Sequence, residues 1–130
     1  MEKLNNFFNK DFYKIESIDF INEEGEIRVE RDDKISLIYE INRNEQKINY
    51  RKIFILEYDY ILFRYSYLDI ILNGFIKMYK NKIKIISRGI LNEKETFYKS
   101  FFIKNDEEII YKSFVKINDK YELYYCAKLL

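Results

Sequence analysis

The sequence predicts an all-β fold: a mainly antiparallel meander that forms a small closed or partly closed barrel, or a curled sheet, behind a short N-terminal helix. Apolar and polar residues alternate over most of the 130 residues, and clusters of Asn, Asp, Glu and Gly separate the alternating runs. The clearest runs are 97–104, 109–117 and 121–128, which are joined by turns at 105–107 and 118–120. About eight to ten such strands in series favour a sheet that curls or closes.

The first residues of the chain predict the helix. The apolar side chains of Met1, Leu4, Phe7, Phe8 and Phe12 are spaced as on one face of a short amphipathic helix. The asparagines between them lower the intrinsic helix propensity of the segment. We therefore expect a single short helix at this end of the chain.

Strands and turns are predicted to follow the helix. Alternation over 18–20 indicates a strand, and 22–25 is predicted as a turn because its glycine can adopt a positive φ. Strands are predicted again at 27–29 and 35–41, separated by a turn at 31–34. A polar loop comes next, so this part of the chain fits an antiparallel meander.

Residues 53–67 are apolar in both alternating phases of a strand. A turn at 57–59 is predicted to split the segment into two strands. Strands that are apolar on both faces are normally covered on both faces. We therefore expect the N-terminal helix, a second sheet or another copy of the protein to lie over the second face.

The segment 66–80 admits two interpretations. Its apolar residues fit a helical stripe, and Ser66 with Asp69 resembles a capping box. Against this, Asn73-Gly74 is a strong hairpin-turn signal, and a glycine inside a helix costs about 1 kcal/mol. The hairpin is favoured, whereas a helix here would make the fold α+β.

The chain is predicted to be a single domain, 1–130, because no linker, repeat or low-complexity tract interrupts the pattern. Its 23 Lys and Arg nearly balance its 22 Asp and Glu, which leaves a net charge of +1. Dedicated nucleic-acid binders usually carry a clear basic excess. Nucleic acid is therefore not an expected partner.

A cytoplasmic location is expected. The single cysteine, Cys126, cannot form a disulfide within the chain, which is typical of a reducing compartment. No secretory signal is recognised in the first residues. The long apolar run 53–72 is interrupted by charged residues, so it does not resemble a membrane span of about 20 residues.

The sequence offers little from which to build a catalytic or metal site. It contains no histidine and one cysteine, which removes Ser/His and Cys/His nucleophile pairs and most zinc sites. Its three glycines are too scattered for a phosphate-binding loop. We therefore predict no enzyme, no metal and no cofactor. The exception to consider is the carboxylate pair Glu57 and Asp59, which would share one face of a strand on either side of Tyr58.

The favoured functional prediction is a non-catalytic interaction module that binds and blocks or titrates another macromolecule. The chain is rich in residues with A/T-rich codons, which indicates a low-GC bacterium or its phage. Inhibitors, immunity proteins and anti-defence proteins of such sources are often small and lack catalytic residues. The expected partner-binding residues are Glu57, Tyr58, Asp59 and Tyr60, because aromatic side chains are enriched at hot spots. The region 53–67 is equally a candidate homodimer interface.

The alternative is a barrel that binds a small apolar ligand, similar in outline to small lipocalin-like barrels. The Gly-x-Trp motif of lipocalins is missing, since the chain has no tryptophan. Bulky Ile, Phe and Tyr are expected to fill a small barrel, which favours the interaction module. Tyrosine and lysine alternate at 79–80, 98–99 and 111–112, which leaves single-stranded nucleic-acid binding as a third and less favoured reading.

Overall fold

A computed structural model describes residues 1–18 and 23–130 of the chain. Over these residues the protein consists of one short helix and ten strands. Their bounds are α1 Glu2–Phe7, β1 Phe12–Ser17, β2 Glu23–Arg31, β3 Lys34–Arg43, β4 Gln46–Glu57, β5 Tyr60–Tyr67, β6 Ile70–Met78, β7 Lys82–Leu91, β8 Lys94–Asn105, β9 Glu108–Ile117 and β10 Lys120–Leu129. No helix in the described ranges is long and apolar enough to cross a membrane.

The strands form a closed antiparallel barrel in which each strand pairs with its neighbours in sequence. The first strand closes the barrel, because Ile15 of β1 pairs with Gly25 of β2 on one side and with Leu129 of β10 on the other. Among the described residues, this closing pair runs over Ile15 to Ser17 of β1 and Ala127 to Leu129 of β10. The predicted all-β meander and its closure into a barrel are therefore confirmed.

Successive turns alternate between the two ends of the barrel. The turns after β2, β4, β6 and β8 lie at the end that carries α1, which we call the helix end. There, the Arg31 guanidinium donates a hydrogen bond to the carbonyl oxygen of Phe8 at 2.5 Å. The Lys104 ammonium donates to the carbonyl oxygen of Phe7 at 2.8 Å. The turns after β3, β5, β7 and β9 lie at the opposite end, the far end.

At the far end, three hairpins use two-residue turns with positive φ at both positions. This geometry suits the right-handed twist of paired strands, and Asn and Asp tolerate it better than most residues. The three turns are Asn44-Glu45, Asn92-Glu93 and Asn118-Asp119. The polar clusters that the sequence offers at these places thus fold into very short connections.

The apolar side chains of α1 pack into the helix end and close it. Leu4 and Phe8 are fully buried, and Phe7 is nearly so. The ring of Phe8 has its centroid within 6.4 Å of the rings of Phe7, Tyr13, Phe54 and Phe102. The N-terminal segment is therefore part of the barrel core.

The short N-terminal helix is confirmed, but it ends earlier than the apolar spacing predicts. It stops at Phe7, and Phe12 begins β1 instead of extending the helix. In β1 the alternation places Tyr13 in the core and leaves Phe12 61% exposed on the outer surface. The buried side chains therefore follow the two-residue spacing of a strand from Phe12 onward, and the helical spacing ends before it.

The predicted turn at 22–25 is wrong for the residues that can be compared, because Glu23 to Gly25 already belong to β2. A side chain on Gly25 would clash with the carbonyl oxygen of Glu40 on β3. The glycine therefore serves a close approach between two strands rather than a positive φ. The predicted strand at 18–20 is not the observed strand β1, which ends at Ser17. Residues 19 and 20 of that prediction lie outside the described residues, as does residue 22 of the predicted turn.

Residues 66–80 form strands, as the favoured interpretation predicts, but the turn lies at Leu68 and Asp69. The predicted turn residues Asn73 and Gly74 lie inside β6. A side chain on Gly74 would clash with the carbonyl oxygen of Ile86 on the adjacent strand. The hairpin signal thus marks a tight approach of two backbones and not a reversal of the chain.

The turn predicted at 57–59 is confirmed, since β4 ends at Glu57 and β5 begins at Tyr60. On the inner face of these strands Phe54 and Phe63 are buried, whereas Tyr60 on the outer face is 52% exposed. Within the described ranges, neither the helix nor a second sheet covers this outer face. Of the three covers predicted over 53–67, the helix and the second sheet are therefore wrong, and cover by another copy stays a prediction.

Candidate ligand-binding cavity

Inside the barrel, a cavity of about 290 Å³ lies between the apolar packing at the helix end and the far end. Strands β3 to β10 all contribute side chains to its wall. Among the described residues, its tyrosines are Tyr50, Tyr65, Tyr67, Tyr98, Tyr111, Tyr124 and Tyr125. The wall therefore consists largely of aromatic rings that carry hydroxyl groups.

Three buried serines on neighbouring strands provide the space for this cavity. Ser87, Ser100 and Ser113 lie on the inner faces of β7, β8 and β9. The Oγ atoms of Ser100 and Ser113 are 2.9 Å apart, and the hydroxyl of Tyr111 donates a hydrogen bond to Ser100 Oγ at 3.2 Å. The expectation that bulky side chains fill the barrel is therefore wrong, because short hydroxylated side chains occupy one side of it.

The cavity contains a buried ammonium group, that of Lys52. The residue lies on the inner face of β4 between Tyr50 and Phe54, and only 4% of it is exposed. Its Nζ lies 3.5 Å from the ring centroid of Tyr111 and 4.8 Å from that of Tyr39. The ring centroids of Phe102 and Tyr50 are 5.3 and 5.9 Å away. Aromatic faces attract a cation at such distances.

Burial removes water from this amine and disfavours its charged form, and the aromatic rings do not fully offset this effect. In the described part of the chain, no carboxylate forms an ion pair with Lys52. Removal from water disfavours the charged form of an amine, so burial lowers the pKa of Lys52 well below its usual 10.5. The neighbouring Tyr39 adds a second unsatisfied group, since its buried hydroxyl has no hydrogen-bond partner among the residues that the structure describes.

A second charged group of the cavity, Arg43, is neutralised locally. Its Nε donates a hydrogen bond of 2.5 Å to Oε2 of Glu23, whose side chain is 1% exposed. This hydrogen bond raises the pKa of the guanidinium. The hydroxyl of Tyr125 donates to Oε1 of the same carboxylate, and burial together with this contact raises the pKa of Tyr125. Glu23, Arg43 and Tyr125 thus form a polar cluster in which the charge of Arg43 is paired.

The residues predicted to bind a partner lie elsewhere. Glu57, Tyr58, Asp59 and Tyr60 surround the turn after β4, at the helix end, and none of them lines the cavity. Tyr58 is 85% exposed and Tyr60 is 52% exposed. Glu57 and Asp59 are also exposed, so they are not enclosed in a cleft in which one carboxyl acts as an acid and the other as a base. Their role as a contact surface stays a prediction.

The inward orientation of Lys52 has a counterpart in the sequence pattern. Tyr50, Lys52 and Phe54 follow one another at the period of two that places side chains on one face of a strand. Once Phe54 is assigned to the core, Lys52 must face the interior as well. The deciding information is which phase faces inward, and this is set by packing across the barrel.

Comparisons with protein-family models, with curated proteins and with solved structures find no match for this chain. The geometry of the cavity is therefore the basis for the function proposed next.

Proposed function

We propose that the protein is a non-catalytic carrier or sensor that binds a small, largely apolar ligand inside its barrel. The observation that supports this proposal is the cavity of about 290 Å³ that remains inside a closed barrel. Barrels of about this strand number hold one small ligand when side chains do not fill them. Binding cavities are typically apolar and aromatic with a few polar groups, which describes this wall.

The dimensions of the cavity favour a compact planar ligand. A water molecule occupies about 30 Å³ in the liquid, so the space corresponds to about ten water molecules. Tyrosine rings favour offset or edge contacts with a second aromatic ring. A ligand with one or two fused rings matches both the volume and the wall.

The ligand is proposed to enter at the far end. The aromatic side chains around Phe8 close the helix end. On the far side, the cavity reaches residues near the strand ends, namely Tyr67, Ile70 and Leu91. Movement of the short hairpins at that end would admit a ligand without unfolding the barrel.

Filling the cavity is expected to weaken binding. The change Ser100→Leu places a branched side chain in the cavity, whereas Ser66→Leu places the same side chain on the outer face of β5. Titration of 2-naphthoate, 2-naphthamide and 2-naphthaldehyde, followed by calorimetry, is expected to detect binding to the wild type and to Ser66→Leu. Binding to Ser100→Leu is expected to weaken about 5- to 150-fold, since overpacking costs about 1–3 kcal/mol. Equal affinities for the two variants would contradict the proposed site.

A second proposal, that the chain is an interaction module which blocks or titrates another macromolecule, draws on the exposed apolar outer face of β4 to β7. Leu62, Phe75 and Ile86 form a row of cross-strand neighbours. Phe75 is 61% exposed, and its ring lies 6.2 Å from that of Tyr60. Contiguous apolar surface of this kind marks interfaces in many proteins.

Light scattering tests the homodimer form of this second proposal. A mass of twice 16.2 kDa that returns to the monomer value in Phe75→Ser would support association through this face. A monomer at all accessible concentrations would count against the homodimer. The ligand-binding proposal does not depend on this result.

A further inference from the structure

We propose that the ligand is a small planar monoanion, an aromatic carboxylate, whose carboxylate group pairs with Nζ of Lys52 inside the barrel. This inference rests on the proposed function, because it names the chemical class of the ligand for the same cavity. The evidence for it is the position of Lys52 in the cavity wall and the lack of an ion pair between Lys52 and any described carboxylate.

The two basic side chains of the cavity differ in whether an acidic side chain pairs with them. In the described part of the chain, Arg43 and Lys52 are the basic side chains in the wall. Arg43 is paired with Glu23, and the same carboxylate also accepts a hydrogen bond from Tyr125. Lys52 is therefore a buried basic group that forms no ion pair with a described carboxylate. A buried charge is normally paired, so a ligand that carries one negative charge completes the site.

The surroundings of Lys52 also define where the anion lies. The ring centroids of Tyr39, Tyr111 and Phe102 all lie within 5.3 Å of Nζ of Lys52. A carboxylate has two oxygen atoms, of which one pairs with Nζ. The apolar part of the ligand then occupies the tyrosine-lined space toward the far end.

The charge state of Lys52 gives the proposal a proton signature. In the empty cavity, burial lowers the pKa of this amine. A bound carboxylate favours the ammonium form, so binding at a pH above the pKa in the empty cavity takes up about one proton. Affinity is then expected to fall as the pH rises further, because the proton becomes less available.

Other titratable groups that face Lys52 do not provide this proton signature. Burial raises the pKa values of six tyrosines on the surrounding strands, so these six stay protonated with and without ligand. They are Tyr39 on β3, Tyr50 on β4, Tyr65 on β5, Tyr98 on β8, Tyr111 on β9 and Tyr125 on β10. The remaining ionisable pair is Glu23 with Arg43, which is already joined by a hydrogen bond.

Three planar ligands of matched shape test the assignment: 2-naphthoate, 2-naphthamide and 2-naphthaldehyde. We expect the wild type to bind the carboxylate about ten- to a hundredfold more tightly than the amide, as befits a charge-assisted hydrogen bond in a buried site. This preference is expected to vanish in Lys52→Met. It is expected to persist in Lys47→Met, which removes a lysine from the exposed outer face of the same strand. Calorimetry of 2-naphthoate in buffers of different ionisation enthalpy is expected to report about one proton taken up by the wild type and none by Lys52→Met.

The outcomes separate this inference from the proposed function. Equal binding of the carboxylate and the amide by the wild type overturns the inference and leaves ligand binding intact, and this comparison needs no variant to fold. Tight capture of the aldehyde as a cyanoborohydride-stable adduct on Lys52, with weak binding of the carboxylate, overturns it in favour of an imine-forming amine. In that reaction the amine adds to the carbonyl carbon, one water molecule leaves, and the cyanoborohydride reduces the imine. Absence of binding for all three ligands overturns the proposed function, and the inference falls with it.

Discussion

Replacing Phe8 by alanine is expected to lower the free energy of unfolding by about 3–5 kcal/mol. The ring is fully buried, and it contacts aromatic rings from α1, β1, β4 and β8. Its removal leaves a void where the helix segment meets the barrel. The loss is large compared with the total stability of a typical domain, which is about 5–15 kcal/mol.

The change Phe12→Ala provides the matched control for this measurement. Phe12 lies four residues further along but is 61% exposed, so its removal is expected to alter stability by no more than about 0.5 kcal/mol. Urea titrations of the two variants, followed by circular dichroism, give the comparison. Equal losses for Phe8 and Phe12 would show that α1 does not seal the barrel.

Raising the pH above about 10 is expected to unfold the protein cooperatively. Burial raises the pKa of Tyr39, Tyr111 and Tyr125, and it raises that of Tyr98 to about 12. In the unfolded chain these phenols ionise near pH 10. Above that pH the native state holds more protons than the unfolded state, so stability falls as the pH rises. Each tyrosine that stays protonated contributes up to about 1.4 kcal/mol of this loss per pH unit.

Lys52 has the opposite effect at lower pH. Its pKa is lowered in the native state, so between that value and about 10.4 the unfolded state holds the additional proton. Its contribution therefore makes stability rise with pH in that window, and Lys52→Met is expected to remove this slope. Taken together, these two effects are expected to give the free energy of unfolding a maximum near pH 10.

Absorbance at 295 nm and circular dichroism, recorded over the same pH range, test the alkaline transition. The buried tyrosines are expected to ionise together with the loss of β structure, and the chain in concentrated guanidinium chloride supplies the reference titration. Ionisation of all tyrosines near pH 10 with the barrel intact would contradict the burial of these side chains.

The strands of the C-terminal half could be predicted closely because each is bounded by Asn and Asp turn residues. The turns at Asp106 and at Asn118-Asp119 fall inside the predicted intervals. The glycines were harder to interpret. Gly25 and Gly74 have the sequence context of turns, yet each is needed because another strand passes too close for a side chain. That requirement depends on residues far along the chain, which local patterns do not reveal.

The cavity could not be predicted for a related reason. Ser87, Ser100 and Ser113 come from three separate strands, and they provide space only because the barrel aligns their inner faces. Lys52 was equally hidden, since a lysine in an alternating strand normally faces water. The side on which it lies is decided by barrel closure and by the packing of Phe54 against Phe8.

The pairing of β1 with β10 also has a consequence for the order in which the chain folds. Ile15 finds its partner Leu129 only when nearly the whole chain has been synthesised, and the contact of Lys104 with Phe7 spans a similar distance. Contacts of such high sequence separation slow folding, since a long loop must close before they form. Until then, β1 and the last strand made have unpaired edges that can associate with other nascent chains. We therefore expect the barrel to close slowly and late, when β1 pairs with β10. Before that point the protein is expected to depend on chaperones during its synthesis.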